Sequence, residues 1–219
     1  VRSILLLAKK PVQMAKRIAL DTSSRSSVAL VHLLCRGLWD ISPEFVDAAP
    51  DAEAMLAGAD AALLIGDPAL RVRIQMDALQ AKQSAVPGAG CCDGDANDLP
   101  VPGVDTLFLY DVAQQWREMT GKPCVTAVWA GRREVVTPEV VADLLASRDY
   151  GLSHISDIAE GAALKLDLPP RALESYLRES IDFSLDDENL AGLNLYFKLC
   201  AEAGLIPSAS GGPGKTARA

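Results

Sequence analysis

The sequence predicts an α/β fold on a sheet with many parallel strands, and three observations carry that expectation. Short continuous apolar runs recur, "SILLLA", "RIAL" and "AALLI", and runs without alternation mark strands buried on both faces, the usual condition of parallel sheets. Between them, apolar residues recur at helical spacing. The third is Gly66-Asp67-Pro68, a strand end passing straight into a helix start, which fits a strand–helix rhythm.

In chain order, Ser3 to Ala8 reads as a buried strand and Lys16 to Leu20 as a second short one. From Ser24, Val28, Val31, Leu34 and Leu38 keep helical spacing, with the helix ending at Gly37 or shortly after. Glu44 to Val46 reads as a strand, Asp51 to Ala57 as a helix capped by Asp51, and Ala61 to Ile65 as a strand. Residues 80–103 are rich in Gly, Pro and Asp and read as a surface insertion. A strand at Thr106 to Tyr110 and a helix at Val112 to Thr120 follow, the helix stopped by Gly121. "CVTAVWAG", Cys124 to Gly131, reads as the next strand. Then come helices at Thr137 to Arg148, Ser153 to Leu166, Pro170 to Glu179 and Asp186 to Ala203, and a polar tail.

Nearly half of the 219 residues are apolar and 23% are charged, enough to build a core and too apolar for a disordered chain. The net charge of -8 argues against nucleic acid, because phosphate binding needs clustered Lys and Arg. A small anionic ligand is not excluded, since local dipoles and a single Arg override the global sign. The five cysteines form no framework: Cys35, Cys124 and Cys200 read as buried thiols, and Cys91 and Cys92 fall in the insertion. With two histidines in the chain, no spacing resembles a zinc site, so no metal is expected. Odd, scattered cysteines point to a reducing compartment and hence the cytoplasm. No run approaches the roughly 20 apolar residues of a membrane span. The chain opens inside an apolar run, so a preceding segment is expected.

The stretch with most chemistry is "DTSSRSS", starting at Asp21. A helix entry carries unpaired N–H groups and partial positive charge. Hydroxyls add donors, and Arg25 adds a full charge able to grip a carboxylate. The stretch is either an anion site or an over-supplied N-cap. Asp21 counts against the anion site unless its carboxylate turns away to cap the backbone. Gly66 and Asp67 stand at a strand's carboxyl end, where ligands of open α/β sheets lie; Asp67 either orients a ligand hydroxyl or caps the helix from Pro68. Trp129 either walls a pocket or is core. Trp39 and Trp116 read as packing. His32 and His154 have no partner spaced for a dyad, so no general base stands out.

The blocks "ALDTSSRSSVALVHLL", "DAALLIGDPAL" and "DVAQQWREMTGKPCVTAVWAGR" resemble the chorismate dehydratases, which open the futalosine route to menaquinone. The blocks stand in the family's order, and the resemblance covers most of Val1 to Ile206. It implies a type II periplasmic-binding-protein-like two-lobe fold with the ligand in the cleft. Residues 1–130 would form the second α/β lobe with its hinge strands, 131–206 a helical part belonging to the first lobe, and 207–219 a disordered tail. It implies a hydro-lyase that converts chorismate, a dianion, into 3-[(1-carboxyvinyl)oxy]benzoate without a cofactor, the substrate's own enolpyruvyl carboxylate taking the proton. It places Ser3 at the catalytic position facing the cleft, and Thr22, Ser23, Ser24, Arg25, Gly66, Asp67 and Trp129 around the substrate. The family's opening strand and "SYLN"-type motif have no counterpart here, so the first lobe is expected to be incomplete and the chain alone inactive. Two other readings share the fold: a non-catalytic binding protein for a small organic acid, and the related 1,4-dihydroxy-6-naphthoate synthase.

Overall fold

The computed structural model describes residues 2–84 and 106–207, with side chains described throughout except at 79–84. Most of the expected insertion (Cys91 and Cys92 included) and the tail beyond Pro207 lie outside the described residues. The chain divides into two compact units, Val1–Gly121 and Lys122–Ala219.

The first unit is built on one five-stranded sheet in the order β3-β2-β4-β1-β5. Its strands are β1 (Ile4–Ala8), β2 (Arg17–Asp21), β3 (Glu44–Ala48), β4 (Ala61–Ile65) and β5 (Phe108–Asp111). β2 runs parallel to β3 and β4, whereas β1 is antiparallel to both β4 and β5. The α/β class stands, and the expectation of a mainly parallel sheet is corrected to a mixed one. Unbroken apolar runs arise from burial on both faces, and a central antiparallel strand covered on both sides has the same sequence signature. β1 is such a strand, buried at every position.

The helices of this unit are α1 (Arg25–Gly37), α2 (Ala52–Gly58), α3 (Asp67–Ser84) and α4 (Val112–Thr120). Side chains alternate between the faces of a strand, so Leu5 and Leu7 of β1, Ala19 of β2 and Ala62 and Leu64 of β4 share one core with Met55 and Leu56 of α2 and Val72 and Met76 of α3. Leu6, Ile18 and Leu63, one place out of step, are equally buried and fall on the other face. α1 and α4 pack on each other, with α4 against β1. Trp39, just past α1, donates its Nε1–H to Gln115 Oε1 on α4 at 2.9 Å and meets Tyr110 of β5 edge-on at 6.0 Å; Trp116 is fully buried. Both tryptophans are packing residues, as expected. α4 runs between the Asp111 cap and Gly121, whose φ of 68° is the left-handed stop a glycine supplies.

The second unit holds α5 (Pro138–Ser153), α6 (Ile155–Leu166), α7 (Pro170–Ser175) with a π turn at Tyr176–Ser180, and α8 (Asp187–Glu202). α8 approaches Pro123 so closely that a Cβ on Gly192 would collide with the Pro123 carbonyl. Residues 124–131 form no strand, which corrects the expectation for "CVTAVWAG". Strand propensity makes no strand without an edge to pair with, and no described strand pairs with this segment. Cys35 and Cys200 are buried thiols, while Cys124 is only half-buried. Among the described residues, apart from Met14 and Phe108, the exposed large apolar side chains all belong to this unit, and α5 buries none of its residues. No helix among the described residues is long and apolar enough to cross a membrane.

Candidate functional site

The sheet register decides which residues meet. Asp21 pairs with Ala48, Ile4 with Ile65 and Leu5 with Asp111. The carboxyl ends of β2, β3, β4 and β5 therefore coincide with the amino end of β1. That end gathers Ser3, Thr22, Ser23, Ser24, Arg25, Gly66 and Asp67. Trp129 belongs to the second unit, where it stands outside any strand and is 63% exposed.

Asp21 ends β2 and is 1% exposed. Its Oδ1 accepts the Ser23 N–H at 2.9 Å, so one oxygen of the carboxylate turns back on the chain, and the condition the sequence set for an anion site here is met in part. Its Oδ2 is buried without a hydrogen-bond partner among the described residues. Ser24 is the N-cap of α1: in extended backbone, its Oγ accepts from Ser27 N at 3.3 Å and lies 3.0 Å from Ser27 Oγ and 3.1 Å from Ser26 Oγ. One hydroxyl therefore caps the helix, and Thr22 and Ser23, both exposed, are left with no side-chain partner among the described residues. Arg25 is exposed and makes no ion pair among the described residues.

The helix starts at this end of the sheet differ in charge. α2 is capped by the Asp51 carboxylate and has Glu53 in its first turn. α3 has Asp67 in its first turn. α4 is capped by Asp111, whose Oδ1 accepts from Ala113 N and Gln114 N at 3.0 and 3.1 Å. α1 is capped by a hydroxyl and has no acid in its first turn. A carboxylate at a helix start offsets the positive end of the dipole, so three of the starts have their own anion and α1 has none within its helix.

Ser3 is 8% exposed, and its carbonyl accepts the Gly66 N–H at 2.8 Å. Gly66 has φ 69° with nothing near a hypothetical Cβ, so the left-handed backbone rather than crowding calls for glycine. Its carbonyl accepts from Leu70 N at 2.9 Å, which makes Gly66 the residue opening α3 and places Asp67 inside the first turn, exposed, instead of at the cap.

Beside Asp21, Thr22 and Ser23 lies an open depression of about 480 Å³, closed on the other side by Asp47, Ala48, Ala49 and Pro50. This second wall, the end of β3 and the connection to α2, was missed by sequence reasoning. Its signal was present: in a sheet with parallel neighbours, the carboxyl end of the strand beside β2 must share its rim. His32 does not line this depression. Burial and then the nearby Arg36 charge lower the His32 pKa, and its ring packs on Phe45 at 4.0 Å. His154 Nδ1 lies 2.8 Å from the Tyr150 carbonyl. Burial pushes the Cys35 thiol up to about 12, far from a nucleophile's range.

Residues 1–202 match the protein family described as Menaquinone biosynthesis. The chain is also 30% identical over 197 residues to a chorismate dehydratase of Thermus thermophilus, an alignment spanning 90% of this chain and 67% of that protein. With a hydroxyl-lined sheet end in the first unit and kinship along nearly its whole length, the chain belongs to the menaquinone-biosynthesis family.

Proposed function

We propose that this chain is a chorismate dehydratase, a hydro-lyase of menaquinone biosynthesis that turns chorismate into 3-[(1-carboxyvinyl)oxy]benzoate. The observation that carries the reading is the kinship with a protein of that name over 90% of the chain. The acid-free start of α1, with the unengaged hydroxyls of Thr22 and Ser23 beside it, supports it, because it offers neutral donors to a carboxylate. Arg25 adds a cation at the first position of the same helix, and Ser3, Gly66 and Asp67 complete the edge. Trp129 belongs to the proposed site through the family resemblance alone. We further propose the two-lobe arrangement of periplasmic binding proteins, with residues 1–130 as one lobe and 131–206 contributing to the other.

In this reading the enolpyruvyl carboxylate of the substrate removes the ring proton. The ring hydroxyl leaves with a proton as water, and the electron pair of the broken C–H bond completes the aromatic ring. The protein holds the dianion in the reactive conformation and excludes water, so its contribution is orientation and carboxylate binding. Mass spectrometry of chorismate incubated with the chain tests this. The expected result is a product lighter by one water when the chain is joined to the family's opening segment with its "SYLN"-type motif, and none from the chain alone; chorismate recovered intact, but bound, would instead favour a binding protein.

A further inference from the structure

The carboxylate of Asp21 has one oxygen that the fold uses and one that it does not. Oδ1 holds the Ser23 N–H at 2.9 Å. Oδ2 is buried and has no hydrogen-bond partner among the described residues, on a residue only 1% exposed. More than nine in ten buried polar groups are paired, and an unpaired acceptor carries a desolvation cost. Asp21 also lines the depression it shares with Thr22, Ser23 and Asp47. We infer that Asp21 Oδ2 is the acceptor for a hydroxyl on the ligand, so that the rim selects a carboxylate compound that also carries a hydroxyl.

The chemistry divides by charge and by donor. Thr22 and Ser23 hydroxyls and the first N–H groups of α1 donate, and so suit the ligand's carboxylate. An aspartate oxygen only accepts, so it repels a carboxylate and takes a donor. Placed one and two residues from the anion donors, it reads the presence of an O–H group beside the charge. A site that pairs a substrate hydroxyl discriminates strongly against a compound lacking it, because the buried acceptor is then left unpaired. This inference rests on the chorismate dehydratase reading, in which substrate and product differ in this respect. Chorismate has the ring hydroxyl; 3-[(1-carboxyvinyl)oxy]benzoate has lost it and keeps both carboxylates. Asp21 then favours substrate over product and helps product to leave.

The test is the ratio of affinities for those two compounds, chorismate from initial-rate kinetics and the product as a competitive inhibitor. It is measured in the chain joined to the family's opening segment, unaltered and as Asp21→Asn and Asp21→Ala. Asparagine keeps an oxygen for the Ser23 N–H and removes the charge; alanine removes the acceptor. The expected result is a preference for chorismate over product that falls about tenfold or more in Asp21→Ala and by a smaller factor in Asp21→Asn. The ratio, unlike either affinity, is insensitive to partial unfolding. A ratio unchanged in both variants, with both compounds still recognised, overturns the assignment alone and leaves Oδ2 to a buried water. A joined chain that neither converts chorismate nor binds the product overturns the functional reading and this assignment together.

Discussion

The two ends of the sheet in the first unit each hold an aspartate, and they treat it in opposite ways. At one end Asp60, just before β4, is fully engaged. Its Oδ1 pairs with Lys10 Nζ at 2.8 Å, and its Oδ2 accepts from Lys16 N and Arg17 N at 2.8 and 3.2 Å. Its backbone bonds both neighbours, giving its N–H to the Arg17 carbonyl and taking the Lys9 N–H. At the other end Asp21 has one oxygen bonded and one orphaned, beside the Thr22 and Ser23 hydroxyls, which bond nothing among the described residues. Such satisfied groups join strands, while unsatisfied ones are retained where something else completes them. The contrast separates the end that holds the sheet together from the end offered to a ligand.

The sharpest way to break this contrast is to substitute at both ends and read stability and binding separately. Thr22→Ala with Ser23→Ala should weaken chorismate binding about a hundredfold, if each donor to the carboxylate is worth about 1.5 kcal/mol. Its effect on the denaturation midpoint should be small, within about 0.5 kcal/mol, as for exposed residues that bond nothing. A large loss of stability with binding intact would show that these hydroxyls only support the turn. Asp60→Ala should do the reverse, costing about 1–2 kcal/mol in urea denaturation because it frees two backbone donors, with chorismate affinity unchanged in the folded fraction.

Gly66→Ala tests the backbone at the ligand end. The left-handed φ costs an alanine about 1–2 kcal/mol, and since nothing lies near the new Cβ, Gly66→Asn should recover part of the loss; an alanine variant as stable as the parent would refute the conformational argument. Ser24→Ala removes the α1 cap and should cost about 1 kcal/mol. The smallest effect is in acid. The Lys10 ammonium, followed by the Lys16 and Arg17 N–H groups, holds the Asp60 carboxyl down at about 2. A carboxyl depressed in the folded state stabilises fully above its unfolded value, about 3.9, and that contribution is lost as pH falls from there through the folded value. Stability measured in this interval should therefore decline more steeply in the parent than in Asp60→Asn. Parallel curves would remove Asp60 from the acid response.

How much of this was legible depended on whether the cause was local. The strand at Ala61–Ile65 and the helix at Val112–Thr120 appear at the bounds read from sequence, because a continuous apolar run and a pair of caps, Asp111 and Gly121, are written in neighbouring residues. The direction of β1 was not legible, since burial and not orientation sets its composition. Nor was the absence of a strand at 124–131, which depends on a pairing edge elsewhere. At the site, the hydroxyl run and the Gly66-Asp67 turn could be found by reading, and so could the need for Asp21 to turn its carboxylate away. The wall at Asp47 to Pro50 was missed although β3 runs beside β2 and ends at the same rim, and the orphaned Oδ2 could not be read, because it depends on what surrounds the side chain once folded. Asp60 escaped notice for the same reason: its partners are more than forty positions away in sequence.

The measurement that bears most directly on the contrast between the two ends is amide hydrogen exchange with and without chorismate. Protection should rise at Thr22 through Ser27 and at Gly66, and stay unchanged at Lys16, Arg17 and Asp60. Protection confined to the Asp60 end, or to the depression of about 340 Å³ around Leu177, Ile181 and Phe183 in the second unit, would contradict the account.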